Sequence, residues 1–252
     1  MNRVDPIAAL ALPAGARVDQ RVPKKLLVEN GAPTVGDKRR IQEGIEEVRW
    51  LAALKPTTIG VPEYRDPMRE YLEIAVLTLM LRPSASLERL TELVHRAVPY
   101  PVLLFTWHGA SPVLSLAHKR WSQGEEGKTV LDGEVIAARL WEERVDELTN
   151  TFCDALAISR QPRTTLYALY QGWIDAAQAL RAARVTGVFS VPTSAAEAAA
   201  REEALREYSR LEAQVAGLRT AAGKEKQLPR QVEMNLELKR LQAARDAARA
   251  RL

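Results

Sequence analysis

The stretch 71–107, YLEIAVLTLMLR followed by PSASLERLTELVHRAV and PYPVLLFTW, decides the fold. Its first segment is a near-continuous apolar run of strand length, and its last is short, β-branched and aromatic. Between them Leu87, Leu90, Leu93, Val94 and Val98 recur at helical spacing. Two strands joined by a crossover helix lie parallel when they share a sheet, so this unit predicts a mixed α/β layer structure.

Outward from that unit the expected fold class is α/β (α+β): a small mixed sheet of about four strands, then a helical region, then a C-terminal coiled-coil-like hairpin. Upstream, Asp5 to Leu12 reads as a short helix ended by Leu-Pro-Ala-Gly at 12–15, and Asn30-Gly31 as a turn. Thr34 with Asp37 three residues on is a capping-box variant. It predicts one amphipathic helix running to Leu54, with Ile41, Ile45, Val48, Leu51 and Ala52 on its apolar face. Pro56 stops it, and TTIGV at 57–61 reads as a strand antiparallel to the one that begins at Tyr71. Downstream, HGASP turns the chain into a further strand, 113–121, whose pairing puts His118 opposite Leu103. The polar loop Ser122 to Gly127 closes the sheet region.

From Asp132 or Gly133 a helix is expected through Val135, Ile136, Leu140, Val145, Leu148 and Phe152 to Leu156. A second, Thr164 to Arg184, holds Leu166, Leu169, Tyr170, Trp173 and Ile174 on one side. Thr193 or Ser194 then caps a long helix whose Leu205, Tyr208, Leu211, Val215, Leu218 and Ala222 step as a coiled-coil seam. Gly223 interrupts it, and Pro229 suits the first turn of another helix with apolar Val232, Leu236, Leu238 and Leu241. A hairpin folded near 223–228 and one long bent helix both satisfy this pattern. The expected divisions are 1–127 (mixed α/β domain), 128–190 (helical region) and 191–252 (basic helical hairpin or coiled coil).

The chain has 252 residues, 46% of them hydrophobic, enough for one substantial core with an appendage. A single cysteine, Cys153, excludes an internal disulfide and a thiolate metal cluster. The run PIAALALPAGA is too short and too close to Asp5 for a secretion signal, and no span approaches the roughly 20 apolar residues of a membrane helix. A cytoplasmic setting is expected, without membrane attachment. The formal charge of +4 is concentrated at the C-terminus. There Arg219, Lys224, Lys226, Arg230, Lys239, Arg240, Arg245, Arg249 and Arg251 outnumber Glu225, Glu233, Glu237 and Asp246.

Chemistry is sparse. His95, His108 and His118 do not converge in this topology, so no metal site and no cofactor are expected. A metal-dependent nuclease needs an acid on one strand and an acid-x-lysine on the next. Glu63, Asp66, Glu73 and Lys119 supply the residue types, but Ala117 stands where the second acid belongs. Ser111, Ser115 and Ser122 lack a glycine elbow, and no phosphate-binding loop occurs. The basic groups Lys24, Lys25, Lys119, Arg120, Lys224, Lys226, Arg230, Lys239 and Arg240 are the candidates for phosphate or for an acidic partner, acting by counterion release rather than base readout. Trp107 and Trp121 flank the strand hairpin; core packing is their expected use, over stacking on bases.

The phrases RVPKKLLVENG, GIEEVRWLAALKPTTIGVP, YLEIAVLTLMLRP, VPYPVLLF, SLAHKRW and KEKQLPRQVEMNLELKRL together resemble a bacterial domain-of-unknown-function family. Its members are often encoded beside a large helicase and a DNA methyltransferase, in loci like restriction or phage-defence systems. The resemblance covers essentially the whole chain and assigns no catalytic residue. It implies an accessory subunit in DNA-directed defence, partnered by a helicase or methyltransferase, with duplex DNA and self-association through the C-terminal helices as further partners.

Overall fold

The computed structural model describes residues 5–141 and 145–252. Helix α1 (Pro6–Ala9) is capped by Asp5, whose carboxylate accepts from Ile7 N at 2.9 Å. Strand β1 (Arg17–Arg21), not foreseen in the sequence, precedes α2 (Lys24–Gly31) and α3 (Val35–Gly44). Thr34 caps α3 as expected, accepting from Asp37 N at 3.1 Å and donating to Asp37 Oδ2 at 2.7 Å. The Asp37 carboxylate is buried and gripped by Arg89 at 2.9 and 2.8 Å, which holds it well below the usual carboxylate range.

The helix expected to reach Leu54 stops at Gly44, and Ile45–Leu54 forms β2 instead. Register shifts between Ile45 and Glu47 and between Trp50 and Ala52 explain the misreading. The first bulge adds a residue to a period of two, so Ile45 and Val48 fall three apart on one face; past the second, Ala52 pairs with Val76 and is buried on the other face, and the buried positions 45, 48 and 52 together imitate a helix. Residues 57–61 form no strand: α4 (Pro56–Ile59) is a single turn, and β2 takes the expected place beside the central strand. A two-residue pair, β3 (Tyr64–Arg65) and β4 (Glu70–Tyr71), then leads into β5 (Ile74–Leu81), α5 (Leu87–Ala97) and β6 (Val102–His108). Strands β5 and β6 are parallel, as the opening stretch requires.

Strand β7 (Ser111–Trp121) returns antiparallel through the loop Gly109-Ala110, with His108 opposite Ser111. That register is two residues tighter than expected, so His118 does not face Leu103. The sheet does not end at 127 either. Thr129–Arg139 forms β8 where a helix was expected. Leu116 pairs with Ile136 and His118 with Asp132, leaving Gly133, Glu134 and Val135 opposite Ala117. Gly133, at φ +87°, takes the left-handed turn that this bulge needs, and the broken alternation again looked helical. The main sheet therefore has six strands rather than four, in the order β1-β2-β5-β6-β7-β8, with β3-β4 a separate pair.

Helices α6 (Glu147–Leu156) and α7 (Leu166–Thr186) follow, then α8 (Ala195–Lys224) and α9 (Leu228–Arg249). The chain falls into two compact units, one up to Leu180 and the other Arg181–Leu252, the division lying inside α7. Among the described residues no helix is long and apolar enough to cross a membrane.

One face of the sheet packs Ala75, Leu77, Leu79, Leu81, Val102 and Leu104 against Leu27 of α2, Ile41 of α3 and Leu90, Leu93 and Val94 of α5. Alternate residues Val76, Leu103, Phe105, Leu114 and Leu116, equally buried, point the other way. There Tyr170 of α7 donates to Val102 O at 2.8 Å and accepts from Ala117 N at 2.9 Å. All five apolar residues expected on one side of the 164–184 helix are buried. Gly31 is a contact point rather than a turn: a Cβ there would lie 2.6 Å from Leu93 O and 2.7 Å from Ala97 Cβ. Gly31→Ala is expected to push α2 off α5 and cost about 1–3 kcal/mol, read as a lower urea midpoint at unchanged slope.

Candidate partner and nucleic-acid interface

The C-terminal pair of helices is a hairpin, which resolves the two arrangements the sequence allowed. Ser194 caps α8 by accepting from Glu197 N at 3.2 Å, and Glu197 in return accepts from Thr193 N and Oγ1 at 2.8 and 2.9 Å. Helix α8 ends at Lys224. The Glu225 carboxylate accepts from Lys226 N at 2.7 Å and Gln227 N at 2.8 Å, folding the turn, and Pro229 lies in the first turn of α9. Along α8 the seam buries Ala204, Leu205, Leu211, Val215 and Ala222. On α9 the half-buried residues are Gln231, Met234, Leu238, Leu241, Gln242 and Arg245, with Ala248 fully buried. Arg245 crosses to Glu212 at 3.1 Å, and Gln231 Nε2 donates to Ala222 O at 3.4 Å.

Val232 and Leu236, two of the four apolar residues noted on this helix, are outside the seam. Leu228, Val232 and Leu236 are 70%, 51% and 56% exposed and follow one another at four-residue steps, a single outward row. Lys224, Lys226, Arg230 and Lys239 are exposed and form no ion pair among the described residues, whereas Arg240 reaches Glu237 at 3.5 Å. The basic excess of the last segment is therefore only partly neutralised by its own chain.

The other basic candidates are committed elsewhere. Lys24 Nζ donates to Gln42 O at 3.2 Å and to Ile45 O, tying α2 to the end of α3, and burial foremost lowers its pKa. Lys25 pairs with Glu29 at 3.6 Å on the same exposed helix turn. Arg120 lies 3.7 Å from Asp132 and donates to Trp121 O. Lys119 is 1% exposed, its Nζ donating to His95 O and to Val98 O at 2.8 Å. It is a side-chain cap on the C-terminus of α5, out of reach of phosphate.

The four residues of the nuclease alternative are not brought together. Glu63 is exposed and paired with Arg65 at 3.1 Å. Asp66 closes the turn between β3 and β4, accepting from Met68 N, Arg69 N and the Tyr64 hydroxyl at 2.7, 2.6 and 2.8 Å. Glu73 is buried against Lys55 at 3.0 Å, with Oε1 unpartnered, and Lys119 is engaged with α5. Among the described residues no cluster of three or more His, Cys, Asp or Glu side chains is placed to hold a metal ion. His95 sits 3.0 Å from Ser115 Oγ, but it is fully buried, and desolvation takes its pKa down to about 3. No substrate reaches that pair. His108 Nε2 bonds Pro83 O at the sheet's end.

The sequence reading missed one constellation. His118 Nε2 donates to Gln171 Oε1 at 2.8 Å, which leaves Nδ1 to accept from the Tyr71 hydroxyl at 2.5 Å. Tyr167 stacks on His118 at 5.0 Å and on Tyr64 at 4.9 Å, and Arg69 lies over its ring while gripping Asp132 at 2.9 and 2.6 Å. Burial lowers the His118 pKa and raises that of Tyr71. Both imidazole nitrogens are occupied, so the network pins the β3-β4 pair to β7 and α7 rather than presenting a free base. Its only trace in the sequence is that four of the six tyrosines gather here from two distant segments.

No curated protein and no solved structure matches the chain. A family match does extend over residues 10–244, from the end of the first helix through the six strands and into the last turns of the hairpin. The chain therefore belongs to the family described as Domain of unknown function (DUF4391).

Proposed function

We propose that the chain is a non-enzymatic accessory subunit of a bacterial DNA-directed, restriction-like defence system, working in the cytoplasm. Its hairpin binds a helicase or DNA methyltransferase subunit and contacts the duplex backbone. The observation that carries this reading is the set of exposed cations Lys224, Lys226, Arg230 and Lys239, which no carboxylate of the described chain neutralises. The setting beside a helicase and a methyltransferase comes from the resemblance of the sequence phrases. Unpaired lysines and arginines bind phosphate by releasing counterions and carry no base preference.

The test is charge reversal in the full-length chain, Lys224→Glu, Lys226→Glu, Arg230→Glu and Lys239→Glu together. Duplex affinity at low salt is expected to fall at least about 100-fold, and the plot of log affinity against log salt to flatten by about 3 to 4. Retention of the neighbouring helicase or methyltransferase in a pull-down should fall with it. Unchanged behaviour in both assays would overturn the reading. Plasmid cleavage in magnesium or manganese that disappears in Glu73→Ala would replace it with the nuclease alternative.

A further inference from the structure

We infer that the outward face of α9 is the seat for an amphipathic helix of the partner, one with acidic residues at both ends of a short apolar row. This rests on the accessory-subunit reading and adds what the partner must look like. Leu228, Val232 and Leu236 span two helical turns, about 12 Å, and stand clear of the α8 seam. Lys224, in the last turn of α8, and Lys226, in the connecting turn, stand at the N-terminal end of the row. Lys239 and Arg240 stand at its other end, one turn past Leu236 and about 16 Å from Leu228. Glu233 and Glu237 fall to the side, between the row and the seam, and Glu237 is already engaged by Arg240.

Three exposed aliphatic side chains do not suit a phosphate backbone, which needs only the cations. A second copy of the same face would bring like charges together at the ends of a parallel pair, and the excess positive charge of the whole segment opposes self-association in general. An acidic helix meets both features at once: apolar residues at i, i+4 and i+8 fill the row, and carboxylates at each end meet Lys224, Lys226, Lys239 and Arg240.

The probes are two fluorescent synthetic helices on an alanine framework, each with three leucines four residues apart. One carries glutamate pairs at both ends and the other lysine pairs. In anisotropy titrations with the full-length chain, the glutamate helix is expected to bind at least ten times more tightly than the lysine helix. Val232→Asp, at a position 51% exposed and outside the seam, should weaken it at least tenfold, with the helical circular-dichroism signal of the chain unchanged. Lys239→Glu with Arg240→Glu should weaken the glutamate helix and strengthen the lysine helix. Equal binding of the two helices, binding of neither, or indifference to Val232→Asp overturns the inference, as does a wild-type dimer in sedimentation that Val232→Asp dissociates. If duplex binding and its salt dependence survive while the helix fails to bind, only the inference is lost; if both are absent, the reading beneath it falls too.

Discussion

Lys119→Ala is expected to lower the stability of the sheet unit by about 2–5 kcal/mol, although lysine is an ordinary surface residue in most chains. The ammonium group is sealed under α5, and the substitution removes the four-carbon stem from a packed interior. It also leaves His95 O and Val98 O without their donor. Lys119→Met keeps most of the volume, which separates the two contributions. Burial pushes the Lys119 pKa down from 10.5 to about 8, with Arg96 adding to the shift. Between those values the unfolded chain binds a proton that the folded chain does not, so this residue's contribution to stability rises with pH. Wild type should therefore gain up to about 3 kcal/mol relative to Lys119→Met from pH 7 to pH 10.5. Urea unfolding at both pH values measures it. A gap that stays constant with pH would mean that the ammonium is hydrated after all.

Trp173→Ala should cost about 3–5 kcal/mol, the other large effect. Trp173 is among the largest fully buried side chains, and its indole Nε1 donates to Leu156 O at 2.8 Å, joining α7 to the last residue of α6. Trp173→Phe retains much of the packing but strands that carbonyl, so about 1–3 kcal/mol is expected from the missing donor. Hydrogen exchange distinguishes the two roles. The alanine variant should lose protection across both helices, whereas the phenylalanine variant should lose it chiefly at the end of α6. Full protection at the end of α6 in the phenylalanine variant would argue that the hydrogen bond contributes little, whereas equal, global loss in both variants would mean that the bond, absent from both, outweighs the packing.

The places where the sequence misled share one cause. At β2 and β8 the apolar residues recur at intervals of three and four, and in both the structure supplies bulges that put extra residues into a strand. Periodicity measures spacing along the chain, and a bulged strand has helical spacing without helical hydrogen bonds. The site residues show a related limit. Lys24, Lys25, Lys119, Arg120 and the C-terminal cations are alike in the sequence, and whether each is spent on a carbonyl, spent on a carboxylate or left free depends on partners that can lie far away along the chain, such as Val98 for Lys119. Glu73 and Asp66 were correct residue types for a metal site, yet each is occupied by a neighbour, Lys55 in one case and the β3-β4 turn in the other.

By itself the sequence determined the parallel β5-α5-β6 unit, the Thr34 cap, a cap at Thr193 or Ser194, the buried side of α7 and the seam of α8, because each is written in local spacing and in capping chemistry within a few residues. Only the tertiary structure decided that the sheet has six strands, that Lys119 is an internal cap, and that Val232 and Leu236 face outward. Those outcomes depend on which distant segment pairs with which, and pairing energy resides in contacts between residues that the chain order keeps apart.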